Sequence, residues 1–393
     1  MKVAIWFDAP HDYYGGINYF KNLLYALSKI KKAEVEVIMF FSSDMVEENL
    51  ELFRPYAKLV KTKILTKFSL LWFLHQFLFR IFGSDALISM LFRSNSIDVV
   101  SHSWSKLNLN NHYKIISWIP DFQYLHLPEL FPNLNKTKES KRWNKIISNS
   151  NFVILSSKDS FNDFISVADK KDHHKGKILN FVSQPNLDKS NRIANIDVSI
   201  KYNLGKYFFY LPNQFWAHKN HLSVFKAIKT LKKNKKDIML VCSGELKDHR
   251  LNDSSHAKEL INYISYNKLN ENIRILGKID YIDVLNLMKS SVAVINPSLF
   301  EGWSSTVEES KSIGKTIVLS NIGVHKEQDP PNGIFFKPND IEHLSNILES
   351  LWNKKGEMIK KDNELIAKNC LKDRTINYGS NYLALLRSVL DEY

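Results

Sequence analysis

Short runs of apolar residues alternate with stretches of helical periodicity along the chain, and this alternation limits the fold more than any other feature. In the N-terminal half the runs are KVAIWF, VEVIMFF, IDVVSHSW, KIISWIP and NFVILSS. Beyond a polar stretch the pattern restarts with YFFYLP, DIMLVCSG, IRILG, SVAVINPS and TIVLSN. Nearly continuous apolar strands separated by helices are typical of parallel sheets covered on both faces. The predicted fold class is therefore α/β, with two Rossmann-like parallel sheets.

The length of the chain predicts two domains, since 393 residues exceed the roughly 250–300 at which a single core stops growing. The pattern assigns residues 1–185 to the first domain, with NFVILSS as its last strand, and residues 200–374 to the second. The final segment, residues 375–393, contains the helical pattern INYGSNYLALLRSVLDE. We expect this helix to cross back to the first domain.

Composition is that of a folded protein, with 44% hydrophobic and 24% charged residues. Cys242 and Cys370 are too few for a disulfide framework and lack the paired spacing of a zinc site. The N-terminal MKVAIWFDAP has no signal-peptide core and reads as a first strand. These features predict a cytoplasmic protein.

The 54 basic and 41 acidic residues give a net charge of +13, which favours an anionic partner. Two lysine-rich stretches, KAIKTLKKNKK and NKTKESKRWNK, supply much of the excess. Neither contains the interleaved aromatic residues of a single-strand nucleic-acid groove, so we expect solvated helix faces and no nucleic acid. Phosphorylated small molecules and anionic lipid head groups remain as candidate partners.

Residues 68–92 are the most apolar stretch, FSLLWFLHQFLFRIFGSDALISMLF. Polar residues interrupt it, so it does not predict a membrane-spanning helix. Four lysines precede it in the sequence: Lys58, Lys61, Lys63 and Lys67. Two interpretations stay open, a helix lying in the interface of an anionic membrane and a helix buried in the core.

One stretch combines a strand, a loop and a helix with two carboxylates: NPSLFEGWSSTVEESKSIGKTIVLSN. The loop lies at the carboxyl end of a predicted strand, where α/β proteins bind ligands, and the following helix start offers free N–H groups. Glu301 on the loop can accept hydrogen bonds from sugar hydroxyls, and Glu309 in the helix can reach a ribose. The alternative is that Glu309 only complements the helix dipole.

This stretch resembles the E-x7-E signature of retaining nucleotide-sugar glycosyltransferases of family four (group 1), which have the two-domain GT-B fold. The matching residues are Pro297, Ser298, Glu301, Gly302, Glu309, Gly314 and Lys315. The resemblance implies that Glu301 contacts the donor sugar and Glu309 the ribose. It also implies a ligand-facing segment composed of Gly302, Trp303, Ser304, Ser305 and Thr306.

Two further places resemble the donor site of this family. Lys219, in LPNQFWAHKNH, stands where a lysine neutralises the diphosphate, while Gln214 replaces the usual arginine. His218 and His221 are expected to assist. Gly15 and Gly16 match the glycine-rich turn after the first strand, although a solvated lysine and an ordinary tight turn are the alternatives.

The stretch ISWIPDFQYLHLPELF resembles the first domain of a polysaccharide-assembly subgroup of the same family. In that subgroup a histidine or aspartate after this strand lies at the reaction centre. Asp121 and His126 are the corresponding candidates, and with Glu301 they form the predicted catalytic set. Asp121 can alternatively hydrogen-bond the turn after Pro120.

The resemblance implies a retaining transfer of a hexose from a UDP- or GDP-sugar to a saccharide or lipid-linked acceptor, in assembly of a bacterial surface polysaccharide such as O-antigen or capsule. The first domain would bind the acceptor, the second the donor, and the cleft between them would close. The sequence contains no D-x-D, so we expect no metal and no other cofactor. The expected location is the cytoplasm, with peripheral contact to the inner face of the membrane. A nucleotide-sugar epimerase and a catalytically silent nucleotide-sugar-binding scaffold stay open as alternatives.

Overall fold

A computed structural model gives the architecture for residues 1–7, 14–31, 34–82, 85–103, 107, 109, 112–132, 134–185, 198–234, 237–248, 253–357 and 361–391. The chain divides into two compact units. The first comprises Met1–Val182 together with Asp373–Tyr393, and the second comprises Ser183–Lys372.

The first unit is built on a parallel sheet of seven strands. In chain order these are β1 (Lys2–Phe7), β2 (Glu36–Ser42), β3 (Lys58–Thr62), β4 (Val99–Ser103), β5 (Lys114–Ile119), β6 (Phe152–Leu155) and β7 (Gly176–Ile178). Their spatial order is β3-β2-β1-β4-β5-β6-β7. The strand order therefore reverses between β1 and β4, which is where a doubly wound sheet opens a crevice at its carboxyl edge.

Seven helices accompany this sheet: α1 (Tyr14–Ser28), α2 (Glu47–Glu51), α3 (Leu70–Phe82), α4 (Ala86–Ser94), α5 (Gln123–His126), α6 (Lys136–Ser148) and α7 (Lys158–Val167). The central strands β1, β4, β5 and β6 are buried along almost their whole length. Their apolar side chains form the core of the unit against helices such as α4, which buries Ile88 and Phe92.

The second unit has a parallel sheet of six strands: β8 (Phe209–Leu211), β9 (Leu240–Cys242), β10 (Ile273–Ile275), β11 (Val294–Asn296), β12 (Ile317–Ser320) and β13 (Gly333–Phe336). Its order is β10-β9-β8-β11-β12-β13. The helices are α8 (Val198–Lys201), α9 (His221–Lys233), α10 (Ser255–Tyr266), α11 (Tyr281–Ser290), α12 (Ser305–Ile313), α13 (Gly323–Gln328) and α14 (Ile341–Asn353). The reversal of strand order falls between β8 and β11.

The last helix, α15 (Lys361–Asp391), begins in the second unit and continues into the first. Its Tyr382 hydroxyl donates a hydrogen bond of 2.8 Å to Ser101 Oγ in the middle of β4. A Cβ at Gly379 would lie 2.4 Å from the carbonyl oxygen of Ala26, closer than any side chain tolerates. Glycine at this position therefore permits the close approach of α15 to α1.

The predicted fold class is confirmed: both units are α/β with parallel, doubly wound sheets. The sequence analysis missed three strands, β3, β7 and β13, each at the edge of its sheet. Edge strands are short or carry charged residues, so they lack the continuous apolar run that identifies a central strand. NFVILSS is consequently not the last strand of the first unit.

Two local predictions are wrong. Gly15 and Gly16 lie inside the first turn of α1 and not in a turn before it, and neither has the positive φ for which a tight turn would need glycine. The core interpretation of residues 68–92 fails for α3, which has no buried side chain. Within the described residues, no helix has the length and apolar character needed to cross a membrane.

Candidate functional site

The loops that follow β8 and β11 lie side by side, because these two strands are neighbours in the second sheet and run parallel. The loop after β8 includes a 3-10 turn at Ala217–Lys219, and the loop after β11 carries Glu301. The backbone N–H of Leu299 donates to the His218 carbonyl at 2.8 Å, and Asn220 Nδ2 donates to the Pro297 carbonyl at 3.2 Å. These bonds fix the two loops at the point where strand order reverses.

Lys219 and Glu301 form an ion pair across this junction. Lys219 Nζ lies 2.6 Å from Glu301 Oε1, and the two side chains are 15% and 9% exposed. Ser298 Oγ also donates to Oε1, at 2.7 Å. Burial alone would raise the pKa of Glu301, but the charge of Lys219, the electrostatic effect of His325 and the hydrogen bonds from Lys219 and Ser298 together hold that pKa below its ordinary value. Glu301 is therefore a carboxylate at neutral pH.

A chain of side-chain amides ties the two strand ends to α12. Asn213 Nδ2 donates to Asn296 Oδ1 at 3.0 Å, and Asn296 Nδ2 donates to Ser304 Oγ at 2.8 Å. Thr306 Oγ1 donates to Asn213 Oδ1 at 3.1 Å. The sequence analysis missed both asparagines, although a polar residue at or just after the end of each buried strand, in YLPN and VINP, is a readable signal.

Gln328 holds the backbone of Ser304 from both sides. Its Oε1 accepts from the Ser304 N–H at 3.1 Å and its Nε2 donates to the Ser304 carbonyl at 2.9 Å. The polar groups of Ser304 are thus bonded within the protein. Gln328 carried no signal in the sequence, because it lies 24 residues beyond Ser304 and belongs to no motif.

Helix α12 begins at the exposed Ser305 and ends at Gly314, which has a left-handed φ of 71°. The predicted stop at Gly314 is confirmed. Because the first N–H groups of an α-helix have no acceptor within the helix, the amides of Ser305 and Thr306 form a positively polarised end. Of the preceding loop residues, Gly302 is buried and Trp303 half-buried.

Glu309, one turn into α12, has a different environment from Glu301. It is buried, and Tyr281 of α11 donates to its Oε1 at 2.8 Å. Burial raises the pKa of Glu309 to about 7, with the Tyr281 hydrogen bond acting weakly in the other direction. Tyr281 is a further residue that the sequence analysis missed.

Three candidates near Lys219 differ in what they contact. Gln214 is exposed, and its Oε1 accepts a 2.5 Å hydrogen bond from the Glu245 N–H. His218 is buried. His221 is buried and stacks on Phe215 with ring centroids 4.4 Å apart, and burial lowers its pKa to about 3. His221 is therefore neutral and cannot help to neutralise a diphosphate, contrary to the prediction.

In the first unit, Asp121 and His126 have protein partners on and around α5. Asp121 Oδ1 accepts from the Gln123 N–H at 2.9 Å, which is the turn-stabilising role left open above. His126 Nε2 lies 2.8 and 2.9 Å from the two carboxylate oxygens of Asp163, and this histidine is exposed. Burial raises the pKa of Asp163, while its hydrogen bond to His126 lowers it.

A buried histidine that the sequence analysis missed lies at the carboxyl end of β4, beside the strand reversal of the first sheet. His102 has a left-handed φ of 59° at an irregularity in the pairing of β4 with β5. Its Nδ1 is 2.8 Å from Ser101 Oγ, and its Nε2 is 2.8 Å from Tyr19 Oη. Ser101 Oγ also accepts from the Tyr382 hydroxyl, so His102, Ser101, Tyr19 and Tyr382 form one hydrogen-bonded group.

Burial lowers the pKa of His102 to about 3, so its imidazole is neutral. In the described part of the chain, no group of three or more His, Cys, Asp or Glu residues is placed to hold a metal ion.

The part of the chain that contains this site is similar to a known protein family. The sequence profile of the family described as glycosyl transferases group 1 matches residues 193–369, within the second unit. The chain is 27% identical over 196 residues to the Escherichia coli UDP-Gal:alpha-D-GlcNAc-diphosphoundecaprenol alpha-1,3-galactosyltransferase. That match covers 48% of this chain and 45% of the relative, so it spans a little under half of the length of the relative.

Solved structures show the fold over the whole chain. A glycosyltransferase from Rickettsia africae is 17% identical with a TM-score of 0.69, and covers 100% of this chain and 99% of its own. HepE of Anabaena in complex with UDP and glucose is 16% identical with a TM-score of 0.71, covering 99% of this chain and 100% of its own. The lipopolysaccharide outer core galactosyltransferase WaaB is 15% identical with a TM-score of 0.63, covering 99% of both chains. The fold is therefore GT-B, and residues 193–369 are similar to the glycosyl transferases group 1 family.

Proposed function

We propose that the protein is a retaining glycosyltransferase that moves a hexose from a nucleoside-diphosphate sugar to a lipid-linked saccharide during assembly of a bacterial surface polysaccharide. The observation that carries this proposal is the buried, ionised Glu301, held by Lys219 where strand order reverses and beside the start of α12. The names of the similar proteins favour a UDP-sugar over a GDP-sugar, since the relative uses UDP-Gal and HepE was crystallised with UDP.

Each part of the donor has a matching group in the second unit. Lys219 and Ser298 both bond to Oε1 of Glu301, so among the described residues Oε2 remains available to accept from sugar hydroxyls. Lys219 can share its positive charge with a diphosphate, as a compact ammonium with three donors does. The amides of Ser305 and Thr306 supply further donors for the phosphate oxygens.

Glu309 is assigned to the ribose. With Tyr281 bound to Oε1, the carboxylate has its second oxygen to accept from ribose hydroxyls. Ser304 and Gln328 act indirectly, because their mutual hydrogen bonds fix the start of the helix that carries Glu309.

The chemical step exchanges one bond to the anomeric carbon for another on the same face of the sugar. The bond from the anomeric carbon to the diphosphate oxygen breaks, the acceptor oxygen forms the new bond, and the acceptor proton passes to the departing diphosphate oxygen. Stabilisation of the leaving charge by prepositioned donors is the main contribution that the protein can make. Lys219 and the α12 amides carry that charge without a metal ion.

The acceptor is assigned to the first unit, where Asp121 and His126 are the proposed contacts. Asp163 orients the exposed imidazole of His126. A lipid-linked acceptor places the protein at the inner face of the membrane.

The test is an assay of nucleoside-diphosphate release by the purified chain, in EDTA, with UDP-glucose, UDP-galactose, UDP-N-acetylglucosamine or GDP-mannose and a GlcNAc-diphospho-lipid acceptor. We expect release with one donor, only in the presence of the acceptor, and a product with the anomeric configuration of that donor. Glu301→Gln should lower kcat about 100-fold or more, as loss of a preorganised charge-stabilising group does. The matched control is Glu47→Gln, an exposed carboxylate paired with Arg54, which should leave the rate unchanged.

Three outcomes would contradict the proposal. Donor binding without release for any acceptor would favour a binding scaffold. Conversion of the donor sugar in the absence of an acceptor would favour an epimerase. Activity that disappears in EDTA and returns with manganese would contradict metal independence.

A further inference from the structure

Helix α3 shows its apolar face to solvent, the reverse of an ordinary surface helix. Leu70, Phe73, Leu74, Phe77 and Ile81 are all exposed and follow the spacing of one helical face. The side chains turned toward the protein include polar ones, His75 and Gln76, which are half-buried. The half-buried side chains also include the apolar Trp72, Leu78 and Phe79. A surface helix of a water-soluble protein normally presents polar residues to solvent, so α3 carries an apolar face that no described residue covers.

The backbone before α3 extends this face. Phe68 is 79% exposed and has a φ of 65°, a left-handed conformation that is unfavourable for a bulky residue. Its ring lies 5.9 Å from the ring of Trp72 and 6.5 Å from that of Phe73, measured between centroids. Ser69 Oγ accepts from the Trp72 N–H at 3.1 Å and fixes the start of the helix. The turn therefore directs the Phe68 ring toward solvent, beside the exposed apolar residues of α3.

The surrounding charge is almost entirely positive. Between residues 54 and 94 the sequence has one acidic residue, the buried Asp85. The same segment has seven basic residues: Arg54, Lys58, Lys61, Lys63, Lys67, Arg80 and Arg93. All seven are exposed, and two of them, Arg54 and Lys61, form ion pairs with Glu47 or Glu51 of α2. An apolar stripe flanked by exposed cations is the pattern of a helix that lies in the interface of an anionic bilayer.

We propose that the α3 surface binds anionic phospholipid. This surface is defined by the exposed apolar residues Phe68, Leu70, Leu71, Phe73, Leu74, Phe77, Ile81, Phe82 and Met90. The apolar side chains enter the acyl boundary, and the lysines that precede the helix contact the lipid phosphates. The inference rests on the proposed function only in that a lipid-linked acceptor would lie in the same membrane.

Charge decides between a membrane and the other apolar partner available, a second copy of this chain. Pairing two copies through the α3 surface would bring the basic residues that flank α3 in one copy toward those of the other. An anionic leaflet reverses the sign of this interaction, and each basic residue near such a surface strengthens binding by roughly fivefold. An anionic lipid surface is therefore the partner that fits both the exposed apolar residues of α3 and the basic residues that flank the helix.

Co-sedimentation of the full chain with vesicles tests this inference without any donor or acceptor. The vesicles are pure phosphatidylcholine, or phosphatidylcholine with 30 mol% phosphatidylglycerol. We expect at least about tenfold tighter binding to the anionic vesicles, weakened by 0.5 M salt. Phe73→Ser/Phe77→Ser should lower this binding about tenfold or more. Lys63→Gln/Lys67→Gln should also lower it, and 0.5 M salt should weaken the binding of this variant less than that of the unaltered chain.

The matched control is Ile200→Ser/Tyr266→Ser, which removes two large side chains of the second unit that are 79% and 88% exposed, more than Phe73 and Phe77 at 51% and 54%. It should bind anionic vesicles like the unaltered chain. Phe73→Ser/Phe77→Ser and the control pair both change exposed residues, so neither should lower the Tm of thermal unfolding. A second pair, Leu70→Ser/Ile81→Ser, repeats the test on the same stripe.

The proposal is overturned if the unaltered chain does not bind anionic vesicles, or if neither α3 pair weakens binding. A dimer in light scattering that Phe73→Ser/Phe77→Ser dissociates would assign the α3 surface to a second copy. Failure of glycosyl transfer is a separate result, because vesicle binding involves no turnover. Where both hold, Phe73→Ser/Phe77→Ser should slow transfer to an acceptor embedded in vesicles and leave transfer to a water-soluble acceptor unchanged.

Discussion

Glu301 on the loop after β11 and Glu309 in helix α12 lie eight residues apart, are both buried, and have opposite charge preferences. Lys219 lies 2.6 Å from Glu301 and holds its pKa below the ordinary value. Among the described residues Glu309 is hydrogen-bonded by the neutral Tyr281 hydroxyl, and burial raises its pKa to about 7. Desolvation acts on both carboxyl groups in the same direction, so the groups around each carboxyl decide the outcome, and the Lys219 cation is the main one at Glu301.

This difference separates two functions that the motif alone treats alike. Glu301 has a fixed negative charge and suits a site where positive charge develops on a reacting sugar. Glu309 gains or loses its proton near neutral pH and suits reversible hydrogen bonding to a ribose. The following variants test the comparison, from the largest expected effect to the smallest.

Removal of the cation should have the largest effect. Lys219→Met leaves Glu301 buried without its partner, and breaking a buried pair in this way costs about 3–5 kcal/mol of unfolding free energy. Chemical denaturation at pH 7.5 measures this loss. The control is Lys61→Met, which breaks the exposed Lys61–Glu47 pair of 3.2 Å and should cost no more than about 1 kcal/mol.

The double variant Lys219→Met/Glu301→Gln removes both charges and should recover most of the lost stability. If Lys219→Met were no more costly than Lys61→Met, the ion pair would not be what keeps Glu301 charged.

Glu309 should make the protein less stable as pH rises. Its folded-state pKa of about 7 lies above the ordinary value of 4.5, so between these values the folded protein holds a proton that the unfolded chain releases. The unfolding free energy should therefore fall with rising pH through this window, by about 3 kcal/mol in total from this group.

Denaturation of the protein and of Glu309→Gln at pH 5 and pH 8 measures this contribution. The variant should lack this fall while retaining the pH dependence of all other groups. Parallel pH dependence in the two proteins would show that Glu309 does not titrate in this range.

Tyr281→Phe should sharpen the contrast by deleting the hydrogen-bond donor of Glu309. A hydrogen bond to a charged group contributes about 1.5–3 kcal/mol, and that of a neutral pair about 1 kcal/mol. The variant should thus lose more unfolding free energy at pH 8 than at pH 5. An equal loss at both pH values would mean that Tyr281 does not distinguish the ionised carboxyl group from the neutral one.

The smallest expected effect is on the pH dependence of nucleotide binding. If ribose hydroxyls donate to the Glu309 carboxylate, the Kd for UDP should rise up to about tenfold between pH 8 and pH 6, since each unit below the pKa reduces the ionised fraction tenfold. Titration calorimetry measures this change. Glu309→Gln should bind UDP more weakly and with little pH dependence, whereas an unaltered profile would remove Glu309 from the ribose site.

How far the sequence predicts this molecule depends on how local each feature is. The central strands β1, β4, β8 and β11 have apolar runs that burial on both faces requires, and each was predicted. The edge strand β3, KLVKT, alternates lysines with apolar residues and resembles a solvated segment. This segment is a strand because it pairs with β2, and no local sequence pattern predicts that contact.

The same limit applies to the candidate site. Glu301 and Glu309 stand in one short motif, and the end of α12 follows from Gly314. Tyr281 influences the protonation of Glu309, and Gln328 fixes the position of Ser304 at the start of α12. Both residues belong to other helices of the second unit, α11 and α13. Spacing could suggest where the two carboxylates lie, but only the fold shows that one has a cation beside it and the other does not.

The most direct test of this account is calorimetric binding, in EDTA, of UDP and of the matching UDP-sugar to the protein, Glu301→Gln and Glu309→Gln. The account predicts that Glu309→Gln weakens binding of both ligands, because both contain the ribose. It predicts that Glu301→Gln weakens only the UDP-sugar, because UDP has no sugar for Glu301 to contact. Unchanged affinity of both variants for both ligands would contradict the assignment of this site to a nucleotide-sugar donor.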